Sequence, residues 1–162
     1  MNKLWGISGS NGIGKDTVGK LLQARLGDGY TIEKFANIPV QCYKLITGID
    51  FHDIPREEKE EIRADFIQFC QGMKTRSDSI WVEALFKSHK QDSKWIITDV
   101  RFIPEVKAIK KRGGLLIMIS EQPLSVMIKK SLSQKGYNYF LVNDEDIEAL
   151  SLKVQDIIDA ES

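Results

Sequence analysis

The chain has 162 residues, 42% of them apolar and 28% charged, an ordinary globular composition with enough bulk to bury a core. Lysine plus arginine and aspartate plus glutamate number 23 each, so the net charge is zero. A general attraction to nucleic acid or to an anionic membrane is therefore not expected, although a local basic cleft is allowed. No apolar run reaches the ~20 residues of a membrane-spanning helix, and the N-terminus has no signal-peptide core. Cys42 and Cys70 lack metal-ligand spacing and are expected as buried, reduced thiols, so a cytoplasmic protein is predicted.

Short apolar runs alternate with helical periodicity along the chain. Leu4 to Ser8 reads as a short buried strand ending in glycines. Lys15 to Leu26 follows as a helix with Val18, Leu21, Leu22 and Leu26 on one face, closed by Gly27 and Gly29. Tyr30 to Phe35 alternates as a strand does, and Pro39 to Thr47 is helical with Pro39 in its first turn. After a loop from Gly48 to Pro55, Glu57 to Met73 is an amphipathic helix with Ile62, Phe66, Phe69, Cys70 and Met73 along its stripe. Ser79 is expected to cap a helix that runs to Lys90. Lys94 to Thr98 is a buried strand, Glu105 to Arg112 a helix stopped by Gly113 and Gly114, and Leu115 to Ile119 an apolar run typical of a central parallel strand. Leu124 to Leu132 is helical, Tyr139 to Val142 a last strand and Ile147 to Ile158 a closing helix. This alternation predicts an α/β three-layer sandwich around a central, mostly parallel five-stranded sheet, in a single domain over residues 1–162.

The run Gly9-Ser10-Asn11-Gly12-Ile13-Gly14-Lys15-Asp16-Thr17 lies between the first strand and the first helix, the context that confirms a phosphate-binding loop. Glycines let the backbone wrap with its N–H groups inward at a helix N-terminus, and Lys15 adds a charge for the β- and γ-phosphates of ATP. The generic pattern has serine or threonine directly after the lysine, to ligate Mg²⁺; here Asp16 stands there and Thr17 follows. A carboxylate beside a triphosphate is repelled unless a cation lies between them. Asp16 is therefore expected on the metal, directly or through water, with the Thr17 hydroxyl on a phosphate; the other reading makes Asp16 a cap of the first turn. Farther along, Asp99 and Arg101 fall after an apolar run, beyond the carboxyl end of a strand where ligands of open α/β sheets lie. Asp99 is expected to hold the water shell of Mg²⁺ and Arg101 to grip a phosphate with its fork, the alternative being a surface ion pair. His52 and His89 lie on surface stretches and are given no role.

On these residues the chain resembles the deoxynucleoside monophosphate kinases of bacteriophages, within the nucleoside monophosphate kinase group. Gly-Lys-Asp-Thr at 14–17 and Asp-Val-Arg-Phe at 99–102 look like that family's signatures. Arg63, Gln68, Gly72, Arg76 and Trp81-Val82 resemble its helix ending in glycine, followed by an arginine and a tryptophan-containing helix, although Trp81 is expected in the core. Asn143-Asp144 is similar to its adenine-side loop. The resemblance implies a P-loop kinase that uses ATP and Mg²⁺ to phosphorylate the 5′-phosphate of a (deoxy)nucleoside monophosphate. It implies ATP contacts from Gly9 to Thr17 and Asn143, catalytic roles for Lys15, Asp99 and Arg101, and acceptor contacts from Arg63, Gln68, Arg76 and Arg101. The implied partner is the small-molecule acceptor, with a homodimer allowed and neither nucleic acid nor membrane bound. Such kinases carry arginines in a lid between the last two strands. The corresponding segment here, 120–137, has Lys129, Lys130 and Lys135 but no arginine, so Lys129 and Lys130 are expected to substitute. Two readings stand beside this one: another small-molecule P-loop kinase, phosphomevalonate- or dephospho-coenzyme-A-kinase-like, and a nucleotide-binding regulator that keeps the ATP cradle.

Overall fold

The computed structural model describes residues 3–51, 53–55, 57–88 and 92–161, and the chain divides into two compact units, Met1–Lys34 with Lys90–Ser162 and Phe35–His89. Five strands lie in the first unit: β1 (Leu4–Ser8), β2 (Tyr30–Glu33), β3 (Lys94–Val100), β4 (Leu115–Ser120) and β5 (Tyr139–Val142). They form one sheet in the order β2-β3-β1-β4-β5, every adjacent pair parallel. The helices, in chain order, are α1 (Lys15–Leu26), α2 (Asn37–Thr47), α3 (Lys59–Lys74), α4 (Ile80–Lys87), α5 (Ile103–Lys111), α6 (Val126–Lys135) and α7 (Ile147–Ala160). Of these, α2, α3 and α4 belong to the second unit.

The alternation of side chains along β1 fixes the layers. Ile7 faces α1, where a Cβ on Gly19 would lie 3.8 Å from its Cδ1. Gly6, one residue earlier, faces α5, and a Cβ there would lie 2.6 Å from Ile109 Cδ1. Successive strand residues point to opposite faces, so α1 and α5 cover opposite sides of the sheet. Trp5, Ile7, Ile117, Ile119 and Leu141 pack with Val18 and Leu22 of α1 and with Leu150 and Val154 of α7 into the main core. The result is the α/β three-layer sandwich of a P-loop kinase with a parallel five-stranded sheet, as the element order predicts.

Most boundaries follow local chemistry. Gly27, with φ 95°, closes α1 by donating its N–H to Gln23 O. Asp146 caps α7 by accepting from the Ala149 N–H at 2.9 Å. β3, expected to stop at Thr98, continues through Val100. Its ladder with β1 pairs Gly6 with Ile97 but Ser8 with Val100, so β3 takes up one extra residue at its end, a register shift of the kind that re-aims side chains beside active sites. Asp99 therefore lies within the strand and Arg101 directly after it. Ser79 sits at the start of α4 but its hydroxyl donates to Glu83 at 2.7 Å and makes no bond to the helix backbone. α4 ends at Lys87, with Ser88 as its C-cap, short of the expected end at Lys90; Lys90, His89 and His52 lie outside the described residues.

The second unit is organised around buried Tyr43. Its ring meets Phe51, Phe66 and Phe69 with centroids 5.9, 5.4 and 5.5 Å away, in tilted and edge-on arrangements that aromatic quadrupoles favour. Its hydroxyl donates to Asp65, and this bond with burial pushes Tyr43 up to about 12. Trp81 is a core residue here: its ring lies 5.8 Å from Phe69 and its Nε1 donates to the Cys70 carbonyl at 3.3 Å. Among the described residues, no helix is long and apolar enough to cross a membrane.

A glycine in the middle of α1 is itself a packing constraint. A Cβ on Gly19 would lie 2.6 Å from Cγ2 of Thr98, a short β-branched side chain that is only 1% exposed and cannot yield. Gly19→Ala gains up to ~1 kcal/mol of helix propensity. Overpacking, at about 1–3 kcal/mol, should outweigh it and leave a net loss in urea denaturation; a stabilised variant would show that α1 does not pack this closely on β3.

Candidate active site

The site grows from the carboxyl ends of the strands. β1 lies between β3 and β4 at the point where the strand order reverses, the position at which open parallel sheets bind ligands. From its end the chain turns into α1 through Gly9–Gly14. A Cβ on Gly9 would lie 2.8 Å from the Ile119 carbonyl oxygen, so the loop starts pressed against β4. Gly14 precedes α1 in the left-handed region at φ 98°, and no side chain caps the helix. The N–H groups of the first turn are thus left to face an anion.

Lys15 folds back over this loop. Its ammonium donates to Gly9 O at 3.0 Å and to Ser10 O at 2.5 Å, which keeps the charge inside the curve of the backbone. Partial burial, then the neighbouring Arg101 guanidinium, lowers its pKa, while Asp16 and Asp99 pull the other way. Asp16 lies in the first turn of α1, and both its oxygens are engaged by side chains: one accepts from Thr98 Oγ1 at 2.7 Å and the other from Lys34 Nζ at 3.0 Å. The Thr98 bond is the largest cause of a lowered Asp16 pKa, with Lys34 adding to it.

Arg101 is exposed, but its backbone is anchored. Its N–H donates to Glu105 Oε2 at 2.6 Å and the Phe102 N–H donates to the same oxygen at 2.9 Å. Glu105 is only 7% exposed, so this carboxylate fixes the exit of β3 and the start of α5. Three cations (Lys15, Lys34, Arg101) and two carboxylates (Asp16, Asp99) thus gather at the carboxyl ends of β1, β2 and β3, Asp99 from the last residues of β3 itself. On the other side, Asn143 after β5 donates from Nδ2 to Ile13 O at 2.8 Å, and the Tyr137 hydroxyl donates to Ser8 Oγ at 3.0 Å.

The sequence-expected residues separate into groups. Gly9 to Thr17, Asp99, Arg101 and Asn143 belong to the sheet unit around this loop. Arg63 and Gln68 on α3, and Arg76 beyond it, are exposed residues of the second unit. Lys129 and Lys130 are exposed on α6, a helix that buries none of its residues. Lys34, Thr98 and Glu105 escaped the sequence reading. The available signals were Lys34's place directly after a strand and the spacing of Glu105, third residue of a helix, from the chain entering it. Among the described residues, no three His, Cys, Asp or Glu side chains are grouped to hold a metal. Asp16 and Asp99 fit the Mg²⁺ pattern instead, in which one or two carboxylates share the ion with phosphate oxygens and water.

Residues 7–114, two thirds of the chain, match the family model of phosphomevalonate kinase. No curated protein matches the chain. The match corrects the resemblance to bacteriophage deoxynucleoside monophosphate kinases: Gly-Lys-Asp-Thr and Asp-Val-Arg-Phe both lie inside the matched span, and the family they fall in is a different one. It supports phosphoryl transfer to a small molecule and takes away the specific basis for a nucleotide acceptor.

Thr98→Val removes the hydroxyl at Asp16 and keeps the methyl against α1. Because that bond is the largest single cause of the lowered Asp16 pKa, the Asp16 midpoint should rise in a ¹³C carboxyl titration. An unmoved midpoint would leave Lys34 alone holding the carboxylate.

Proposed function

The chain belongs to the phosphomevalonate kinase family, and on that premise we propose that it transfers the γ-phosphoryl group of ATP to the phosphate of phosphomevalonate, releasing ADP and a diphosphate ester. The observation that carries this reading is the gathering of Lys15, Asp16, Lys34, Asp99 and Arg101 at the mouth of the Gly9–Gly14 loop. An oxygen of the acceptor phosphate attacks the γ-phosphorus as the bond to the β–γ bridging oxygen breaks, and the electron pair leaves with ADP. Phosphate monoesters are largely ionised near neutral pH, with a second pKa of about 6, so the attacking oxygen needs no general base. Positioning and charge neutralisation are then the main tasks of the protein.

In this reading the loop N–H groups and the Thr17 hydroxyl hold the donor phosphates, and Lys15 follows the charge that builds between β- and γ-phosphates. Asp16 and Asp99 would hold Mg²⁺, partly through water; when bound, the ion neutralises the β- and γ-oxygens. Arg101 grips the acceptor phosphate with two parallel donors, its backbone held by Glu105. Lys34, already 3.0 Å from Asp16, supplies the second cation at that end.

The acceptor is tested by ADP release from Mg²⁺–ATP with phosphomevalonate, dephospho-coenzyme A and each deoxynucleoside monophosphate in turn. Turnover is expected with phosphomevalonate and not with the others. Turnover with a nucleotide and none with phosphomevalonate would overturn the proposal.

The lysines of α6 are proposed as lid cations that act in the closed state. Lys129 and Lys130 are adjacent on the helix and point ~100° apart, so at most one of them faces the phosphates. Replacing that one by methionine should lower kcat about ten- to hundredfold, as expected for one charge-assisted contact, with little change in ATP affinity. Normal turnover by both single variants would leave the lid without an electrostatic role.

A further inference from the structure

The phosphate loop is braced from outside by the side chain of Asn143. Asn143 Nδ2 donates to the Ile13 carbonyl at 2.8 Å. Asn143 is itself fixed, since its backbone N–H donates to Ser120 O at 2.9 Å and ties the end of β4 to the end of β5. Lys153 on α7 then clamps the loop that follows, donating to Asp144 and Glu145 at 2.9 Å each and to Val142 O at 3.1 Å. The approach is so close that a Cβ on Gly14 would lie 2.8 Å from Asn143 Nδ2.

Among the described residues every peptide bond is trans. A planar trans peptide points its C=O and its N–H in opposite directions. A donor that fixes the Ile13 carbonyl therefore fixes the Gly14 N–H, on the side of the peptide away from Asn143. We infer that Asn143 is a positioning residue that orients the Ile13–Gly14 peptide so that the Gly14 N–H faces a phosphate oxygen, without touching the nucleotide itself. An anion-binding nest depends on successive N–H groups converging. A rotated peptide would replace one donor by a carbonyl oxygen facing the phosphate. The inference rests on the reading of Gly9 to Thr17 as a phosphate loop.

The test compares binding of ATP and of inorganic tripolyphosphate, which has no base, to the wild type and to Asn143→Ala by calorimetry. Both ligands should weaken by the same factor, about tenfold for one lost orienting hydrogen bond. The KM for ATP should rise with little change in kcat at saturation. A loss confined to ATP would put Asn143 on the base and overturn the inference, as would unchanged affinity for both ligands. A second measurement needs no variant: the Gly14 amide of the ¹⁵N-labelled wild type should shift strongly when tripolyphosphate is added. A Gly14 amide that stays put while its neighbours in the loop respond would also overturn it. Wild type that binds neither ligand would remove the phosphate-loop reading, and the inference with it.

Discussion

Residues Gly9–Gly14 carry the chain from a buried strand into a helix along a path that leaves no room for a side chain at Gly9 or Gly14. Gly9 lies too close to the Ile119 carbonyl to tolerate a Cβ, and Gly14 combines a left-handed φ of 98° with the close approach of Asn143. With side chains excluded there, the uncapped N–H groups of α1 and the Lys15 ammonium become the dominant charges at the loop. Everything else in the site is arranged around that positive curve of backbone.

Packing α1 against β3 at Gly19 and Thr98 brings Asp16 within 2.7 Å of the Thr98 hydroxyl. The same close packing therefore sets both a core contact and the orientation of a carboxylate in the site. Lys34, just past β2, completes the partners of Asp16, and the extra residue taken up near the end of β3 brings Asp99 and Arg101 into the same neighbourhood. Alternating cations and carboxylates lower the cost of holding three positive groups together, and they leave a net positive charge of the sign that phosphates require. Lys15 feels this directly: burial first and then Arg101 lower its pKa, while Asp16 and Asp99 oppose the shift.

Much of this was legible in the sequence where glycine and proline punctuate it. β1 and α1 are found at the residues expected, because a short apolar run, a glycine-rich turn and an amphipathic stripe follow one another without ambiguity. The end of β3 was not legible: Asp99 is polar, and hydropathy cannot distinguish a strand residue aimed into a site from a loop residue. Lys34 carries no motif, and its role depends on β2 lying beside β3, a pairing that residue patterns do not display. The family was misread for a related reason. Gly-Lys-Asp-Thr and Asp-Val-Arg-Phe report how phosphate is handled, a task shared among P-loop kinases, whereas the acceptor is chosen by contacts with no comparable signature.

The central claim is that the Gly9–Thr17 loop holds ATP for phosphoryl transfer, with Lys15 following the charge on the transferring group. The most direct measurement is the turnover of Lys15→Ala with phosphomevalonate and Mg²⁺–ATP, with circular dichroism and thermal unfolding recorded on the same sample. The account predicts an intact fold and a rate lowered at least a hundredfold, the scale of a lost charge-assisted contact of about 3 kcal/mol. A folded variant that turns over at the wild-type rate would contradict it.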